Sequence, residues 1–322
     1  MVETGGKFGL DPLAAELLVC PRDLKNLRAA ATRLRCPDGH DYPILGGVPV
    51  MLLRDQLQTQ VEGERSISAA MRGEEPAEPP QSPNSIDAFV RRKISTHKAS
   101  TKLDEYPIPR VDFSAASSKD CFLDLGCGWG RWCIAAARAG YRVVGIDADL
   151  EAIMAARRVA RQLGAAAAYI VADARWPPFA PESFDVVHSY GLLEHFLRRD
   201  AERAVIQAAR VAKPAGLVTI QWTNALGLRS IYRQARRGFR RSRGFEVRYW
   251  TPFELRDLFE REVGAPHLAA DAFFAAENES RNGAGRRNCP AMRLSALLRE
   301  ASERFPPLAY LADSVTVSAL KR

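Results

Sequence analysis

The chain has 322 residues, 47% hydrophobic and 26% charged, an ordinary balance for a folded protein and enough length for one large domain and a small one. No stretch approaches the roughly 20 apolar residues of a membrane-spanning helix, and six scattered cysteines do not form a disulfide framework, which excludes a disulfide-stapled scaffold. The net charge of +8 is local, because residues 225–250 hold eight arginines (229, 233, 236, 237, 240, 241, 243 and 248) against a single acid, Glu246. The protein is thus a near-neutral body with one cationic element.

The opening residues, MVETGGKFGLDPLAAELLVCP, lack the basic region and long apolar core of a signal peptide, so a cytoplasmic location is expected. Residues 11–54 read as one small α+β module. Asp11-Pro12 is suited to capping and starting a short helix. Two short knuckles follow, Cys20-Pro-Arg-Asp23 and Cys36-Pro-Asp-Gly-His40, and YPILGGVPVMLL then predicts a strand pair about Gly46-Gly47. Residues 55–85 are rich in Pro, Glu and Ser without an apolar period, and are expected to be a flexible linker. Residues 86–322 form the second unit, starting with an amphipathic helix that carries Ile86, Phe89, Val90 and Ile94.

From residue 121 strand and helix patterns alternate. CFLDLG, YRVVGID, AAYIVAD, SFDVVHSY and GLVTIQW read as strands. RWCIAAARAG, DLEAIMAARRVARQLG (with Gly164 at its C-cap) and a segment near 199–212 read as helices. This is the rhythm of a doubly wound, Rossmann-like α/β sheet. HLAADAFFAA and SVTVSAL are candidates for two closing strands.

DLGCGWGR (124–131) follows the first of these strands and opens a helix, which puts Gly126, Gly128 and Gly130 in the first βα turn, where backbone approaches a ligand. The spacing is G-x-G-x-G, and the third glycine of a dinucleotide fingerprint would fall on Arg131. Asp124 at the strand end would repel a pyrophosphate and suits a ligand bearing an ammonium and a sulfonium, S-adenosylmethionine (SAM). Asp147, 21 residues after Gly126, stands where an acid accepts from ribose hydroxyls, and Asp173-Ala174 is placed for the adenine amino group.

FLDLGCGWGR, VVGIDADLEAI, VADARWPPF, SFDVVHSYGLLEHF and RVAKPAGLVTIQ follow one another as the successive motifs of class I SAM-dependent methyltransferases do, and residues 121–222 resemble that family. The resemblance implies a seven-stranded sheet with a reversed final hairpin. It assigns cofactor contacts to Asp124, Gly126, Gly128, Asp147, Asp173 and Ala174, with Ser189 or Tyr190 beside the sulfonium; Cys127, Gly130 and Ala148 complete the expected set. The Asn/Asp-Pro-Pro-Tyr/Phe signature of amide and base-nitrogen methylation is missing after the fourth strand, since WPPF (176–179) precedes it.

After that strand come Glu194 and His195. A histidine there is placed to deprotonate an attacking hydroxyl, and similar Glu-His pairs occur in enzymes resembling the quinone-pathway O-methyltransferases. The cationic element predicts an amphipathic basic helix of about 25 Å, with Leu228, Tyr232, Ala235 and Phe239 on one face and Arg229, Arg233, Arg236 and Arg240 on the next. Arg229, Arg233 and Arg236 are its candidate contacts to an anionic substrate, a phosphorylated or nucleotide-linked small molecule or glycan intermediate; RNA and an anionic membrane surface remain open.

The knuckles make Cys20, Asp23, Cys36 and His40 a candidate metal set. Zinc accepts thiolate, imidazole and carboxylate, yet Asp23 where a ribbon would carry cysteine leaves zinc optional and is equally suited to capping a turn. The module resembles the small zinc-ribbon activator subunit of tRNA and translation-factor methyltransferases, a family with metal-free bacterial relatives. Its knuckle spacing is also similar to the amino-terminal zinc site of ribosomal RNA guanine methyltransferases. The expectation is a SAM-dependent methyltransferase acting on a hydroxyl of an anionic small molecule or glycan intermediate, with RNA methylation or a non-catalytic SAM-binding scaffold as alternatives.

Overall fold

The computed structural model describes residues 2–3, 10–30, 32–53, 55–56, 67–68, 70–71, 85–95, 105–110, 117, 119–274 and 290–322. The amino-terminal part has β1 (Val2–Glu3), α1 (Pro12–Leu17), β2 (Leu27–Ala30), β3 (Arg33–Arg35), β4 (Asp41–Leu45) and β5 (Val48–Pro49), joined in the order β1-β2-β3-β4-β5. Asp11 caps α1 by accepting from the Leu13 N–H, with Pro12 at the first helical position. Gly46 and Gly47 take positive φ, +53° and +77°, in the two-residue turn between β4 and β5, a conformation that costs glycine little.

Most of the expected linker lies outside the described residues. Where 67–68 and 70–71 are described they are helical, with Ile67 and Ala70 packed on the core. The amphipathic start forms α2 (Ala88–Ser95), which buries Phe89 and Val90.

The second unit holds β6 (Cys121–Leu125), α3 (Arg131–Arg138), β7 (Arg142–Asp147), α4 (Leu150–Gln162), β8 (Ala168–Val171), β9 (Phe184–Ser189), a 3-10 turn at Leu193–His195, α5 (Arg198–Val211), β10 (Ala212–Thr223), α6 (Leu228–Arg236), α7 (Pro252–Glu262), β11 (His267–Ala272), α8 (Pro290–Arg304) and β12 (Ser314–Leu320). The sheet order is β11-β12-β10-β9-β6-β7-β8. Strands β8, β7, β6, β9 and β10 run parallel, and β12 is antiparallel to both β10 and β11, the expected reversed hairpin. Gly164 is not the C-cap of α4; Leu163 is, and Gly164 follows with φ +63°, the left-handed residue that closes a helix end.

Alternating side chains divide the core between the two faces of this sheet. Phe122 and Val143 point toward α2, α3 and α4, packing with Ile134, Ile153 and Val159. Leu123, Leu125, Val144 and Ile146 point the other way, toward α5, α7 and the amino-terminal ribbon, where Leu27, Leu34, Tyr42 and Met51 belong to the same cluster. The ribbon also extends the sheet beyond its β8 edge. Val50 bridges Val171 in parallel, the Met51 N–H donates to the Val171 carbonyl (2.7 Å), and the Val19 N–H donates to the Pro178 carbonyl (2.9 Å) beside a bridge from Leu18 to Phe179. Covering an edge strand removes a row of unpaired backbone groups.

Phe179 is fully buried between the ribbon and the sheet, edge-on to Phe184 at 4.9 Å. Phe179→Ala should lower stability by about 3–5 kcal/mol, and urea unfolding followed by fluorescence and by circular dichroism should give coincident single transitions, because ribbon and sheet share one core.

Candidate active site

The glycine turn is folded onto the end of the neighbouring strand. The Gly126 and Cys127 N–H groups both donate to the Ile146 carbonyl (2.8 and 2.9 Å), and the Gly128 N–H donates to Asp147 Oδ2 (2.9 Å). Gly126 has φ +75°, and a Cβ there would lie 2.8 Å from the Leu192 side chain; Gly130 has φ +82°, with Tyr169 Oη at 2.7 Å from the same imagined atom. Only glycine satisfies both demands at these two positions. Past Asp147 and Ala148, Asp149 caps α4 by accepting from the Glu151 N–H. Burial pushes the Asp147 carboxyl up to about 6, with Asp149 and Asp124 adding like charge against the hydrogen bonds from Asp149 and Gly128. Burial likewise raises the Cys127 thiol and takes Cys133 to about 11, so both stay neutral.

Other expected cofactor residues already have protein partners. Asp124 is buried, with Oδ1 3.0 Å from His188 Nδ1 on the adjacent strand and Oδ2 accepting from the Cys133 thiol. His188 itself packs against Trp132, ring centroids 4.6 Å apart. Asp173 is also buried, and both its oxygens accept from Arg175, which in turn lies 3.5 Å from Asp200 and over the Trp176 ring. The carboxylate expected at the adenine is therefore held in an ion pair, and the neighbouring Ala174 is buried beside it. Ser189 departs from expectation more sharply: its hydroxyl donates to the Leu125 carbonyl at 2.9 Å and it is 1% exposed, facing the sheet rather than a sulfonium. Tyr190 reaches outward, donating to Asp271 (2.9 Å) with Arg131 over its ring and Trp132 at 5.4 Å. The buried Trp132 Nε1–H has no acceptor among the described residues.

The segment after β9 is clamped from several sides. Gln221 accepts from the Gly191 N–H, and Glu194 Oε2 accepts from the Thr223 N–H and hydroxyl. His195 Nδ1 lies 2.8 Å from the Phe245 carbonyl, which can only accept, so Nδ1 carries hydrogen and the neutral ring keeps its lone pair on Nε2. Nε2 is 3.9 Å from Glu194 Oε1, and the imidazole stacks on Phe245 at 3.9 Å. Arg248 braces the same turn, donating from its backbone to the Glu194 carbonyl and from its guanidinium to the His195 carbonyl. Phe245, Arg248, Thr223, His188 and Trp132 join the site without having stood out in the sequence. Arg248 was visible there only as charge, and the other four carried no distinguishing spacing.

The cationic element differs from its predicted form. Helix α6 has nine residues, about 14 Å at 1.5 Å each. Gly238 ends it, with its N–H on the Ala235 carbonyl and the Phe239 N–H on the Gln234 carbonyl, the paired bonds of a Schellman stop. Phe239 and Arg240 thus lie beyond the helix. Asp313 caps its start by accepting from the Arg229 and Ser230 N–H groups. The Arg229 guanidinium donates to the Phe274 carbonyl rather than facing solvent as a substrate contact, while Arg240 pairs with Glu246 and holds that carboxyl near 2. Arg233 and Arg236 are exposed. On the ribbon, Cys20, Asp23, Cys36 and His40 converge, one ligand atom from each lying within 4.8 Å of the others.

A carboxyl at about 6 in the folded chain titrates near 4 once unfolded, so the folded state binds the proton more tightly and Asp147 costs stability as pH rises through that window. The stability of Asp147→Asn relative to the parent, from urea unfolding at pH 4 and pH 7, should shift in the variant's favour by up to roughly 3 kcal/mol at the higher pH.

The family described as "Methyltransferase domain" matches residues 122–216. A ubiquinone biosynthesis O-methyltransferase of Chelativorans sp. (strain BNC1) is 34% identical over 110 residues, covering 33% of this chain and 43% of that one. One from Sinorhizobium medicae (strain WSM419) is 28% identical over 137 residues, covering 42% and 51%. The chain thus spans about half the length of the curated relatives it matches. Among solved structures, the YcgJ protein from Bacillus subtilis aligns with TM-score 0.45 and 19% identity over 64% of this chain and 93% of that one. Magnesium protoporphyrin IX methyltransferase from Synechocystis PCC 6803 with bound SAH aligns with TM-score 0.45 and 13% identity over 63% and 75%. Residues 122–216 are thus similar to a methyltransferase domain, and the glycine turn and five parallel strands described above fall within or at the edges of that match.

Proposed function

We propose that the chain methylates a hydroxyl on a small anionic molecule, using SAM as donor. The observation that carries this reading is the tautomer of His195: the Phe245 carbonyl takes the Nδ1 hydrogen and leaves Nε2 as the base, at the carboxyl end of β9. The relatives named as O-methyltransferases support an oxygen acceptor. In the transfer, the substrate oxygen forms a bond to the methyl carbon as the carbon–sulfur bond breaks and the sulfonium becomes a neutral thioether. The hydroxyl proton passes to Nε2, where Glu194 stabilises the imidazolium. Asp147 would hold the donor's ribose and Ala174 would border its adenine, with the glycine turn alongside. Arg233 and Arg236, both exposed, provide the positive charge for an anionic group on the acceptor. Exposed Arg241 and Arg243 beside them favour a second reading, RNA, which needs several phosphate contacts.

Methyl transfer from labelled SAM to fractionated small-molecule, lipid and RNA extracts tests the reading. Label in the small-molecule fraction is expected; label in RNA alone, with binding that falls steeply with salt, would favour the second reading. His195→Ala should cut turnover by about 10²–10⁴ while leaving SAM affinity unchanged, and undiminished turnover would remove the base. SAM affinity by calorimetry should fall as pH drops from 7 to 5, because a protonated Asp147 no longer accepts from both ribose hydroxyls; Asp147→Asn should bind more weakly at pH 7 and lose that dependence.

A further inference from the structure

We propose that the ribbon holds one tetrahedral zinc ion on Cys20 Sγ, Asp23 Oδ2, Cys36 Sγ and His40 Nδ1, and that this ion locks the ribbon against the cofactor sheet. Zinc bonds of about 2.0–2.3 Å set tetrahedral ligand–ligand edges of roughly 3.3–3.8 Å. Four of the six edges are Cys20 Sγ to His40 Nδ1 3.5 Å, Cys36 Sγ to Asp23 Oδ2 3.4 Å, Cys36 Sγ to His40 Nδ1 3.2 Å and His40 Nδ1 to Asp23 Oδ2 3.1 Å, the last two slightly tighter than an ion would set, and the edges from Cys20 to Cys36 and to Asp23 lie within 4.8 Å. His40 Nδ1 and Cys36 Sγ each lie within hydrogen-bond range of several members of the set, more contacts than the few available protons can satisfy. A central cation satisfies all four at once.

The sequence left Asp23 between two roles, and the structure separates them by atom. Oδ1 accepts from the Lys25 N–H at 3.0 Å and closes the turn, while Oδ2 faces the cluster. Each knuckle carries one left-handed residue next to a ligand, Leu24 at φ +60° and Gly39 at φ +85°. Leu24 bears a side chain in this left-handed conformation, which L residues rarely adopt, and its N–H bond to the Cys20 carbonyl (2.9 Å) helps to hold it. The Tyr42 hydroxyl lies 3.2 Å from Cys20 Sγ, placed to donate to a thiolate as an outer-shell partner does. Both cysteines are buried, Cys20 fully, whereas Asp23 and His40 keep part of their side chains in solvent, the side from which an ion enters. Two thiolates with imidazole and carboxylate in a tetrahedral arrangement select zinc over harder cations.

The mechanical consequence follows from what adjoins the ligands. Cys20 is the next residue after Val19, whose N–H bonds the Pro178 carbonyl, and the strand that follows His40 leads through Gly46 to Val50 and Met51 on Val171. The ion therefore ties together both attachments that flank residues 172–177, the segment carrying Asp173 and Ala174. Metal binding is read here without methyl transfer, so its failure and that of the proposed activity are distinguishable.

The full chain, purified without chelator and analysed by elemental mass spectrometry, should carry about one zinc per chain, and chelation should lower its melting temperature by several degrees. Cobalt substituted for zinc should show the intense visible bands of a tetrahedral ion and a thiolate-to-cobalt charge-transfer band. That band should rise by half in Asp23→Cys, which adds a third thiolate, and halve in Cys36→Ser. Asp38→Asn, altering an exposed neighbour paired with Lys25, should leave content and spectrum unchanged. Metal well below stoichiometry after zinc loading of the parent chain, an octahedral cobalt spectrum, or a charge-transfer band unchanged in Asp23→Cys would each overturn the proposal. The parent measurements stand even where Cys36→Ser fails to fold.

Discussion

The pairing of β6 between β7 and β9 is the constraint on which the rest of the site depends. Parallel strands in register bring their carboxyl ends to one edge, and each of these ends carries a polar residue: Asp124 within β6, Asp147 at the end of β7, His188 and Ser189 on β9. Gathering acids at one edge is costly, as the raised Asp147 carboxyl shows. The fold offsets that cost with hydrogen bonds from the glycine turn and with the His188 ring against Asp124. The turn meets two demands through one piece of backbone. It folds back on Ile146 and Asp147, and it leaves no Cβ where Leu192 arrives from the far side of the site.

Leu192 links the cofactor turn to the segment after β9, where the candidate base sits. That segment has little regular structure of its own, a single 3-10 turn. Its geometry is imposed by neighbours: Gln221 and Thr223 from β10, and Phe245 with Arg248 from the arginine-rich stretch. The cationic element is therefore divided in its work. Arg248 and Arg229 are structural, bonded to backbone carbonyls, and Arg240 is paired with Glu246. Arg233 and Arg236 remain exposed. A histidine whose tautomer is set by a carbonyl rather than by a carboxylate keeps its base nitrogen free without an added negative charge on the donor side.

The amino-terminal ribbon belongs to the same physical object. It covers the β8 edge, which would otherwise present open backbone groups, and its apolar side chains complete the core on the face of α5 and α7. Its attachment points bracket the loop that carries Asp173, whose carboxylate is spent on Arg175.

The alternation of strands and helices, the glycine turn and the place of Asp147 at a strand end were legible in the sequence because each rests on local pattern, apolar runs, glycine spacing and acids at strand ends, whereas the reversed final hairpin was implied only by the family resemblance. The convergence of Cys20, Asp23, Cys36 and His40 was legible as spacing alone, while the orientation of Asp23 was not, since a carboxylate that caps a turn and one that faces a cluster look alike in sequence. Tertiary structure decided the remainder. It turned Ser189 into the sheet, consumed Asp173 in an ion pair with Arg175, stopped the arginine helix at Gly238 and set the His195 tautomer through a carbonyl 50 residues away. The physical reason is common to these cases. Sequence period reports which face of an element a side chain occupies, but the partner that claims a polar atom is chosen by packing between elements distant in the chain, and no local pattern records that choice.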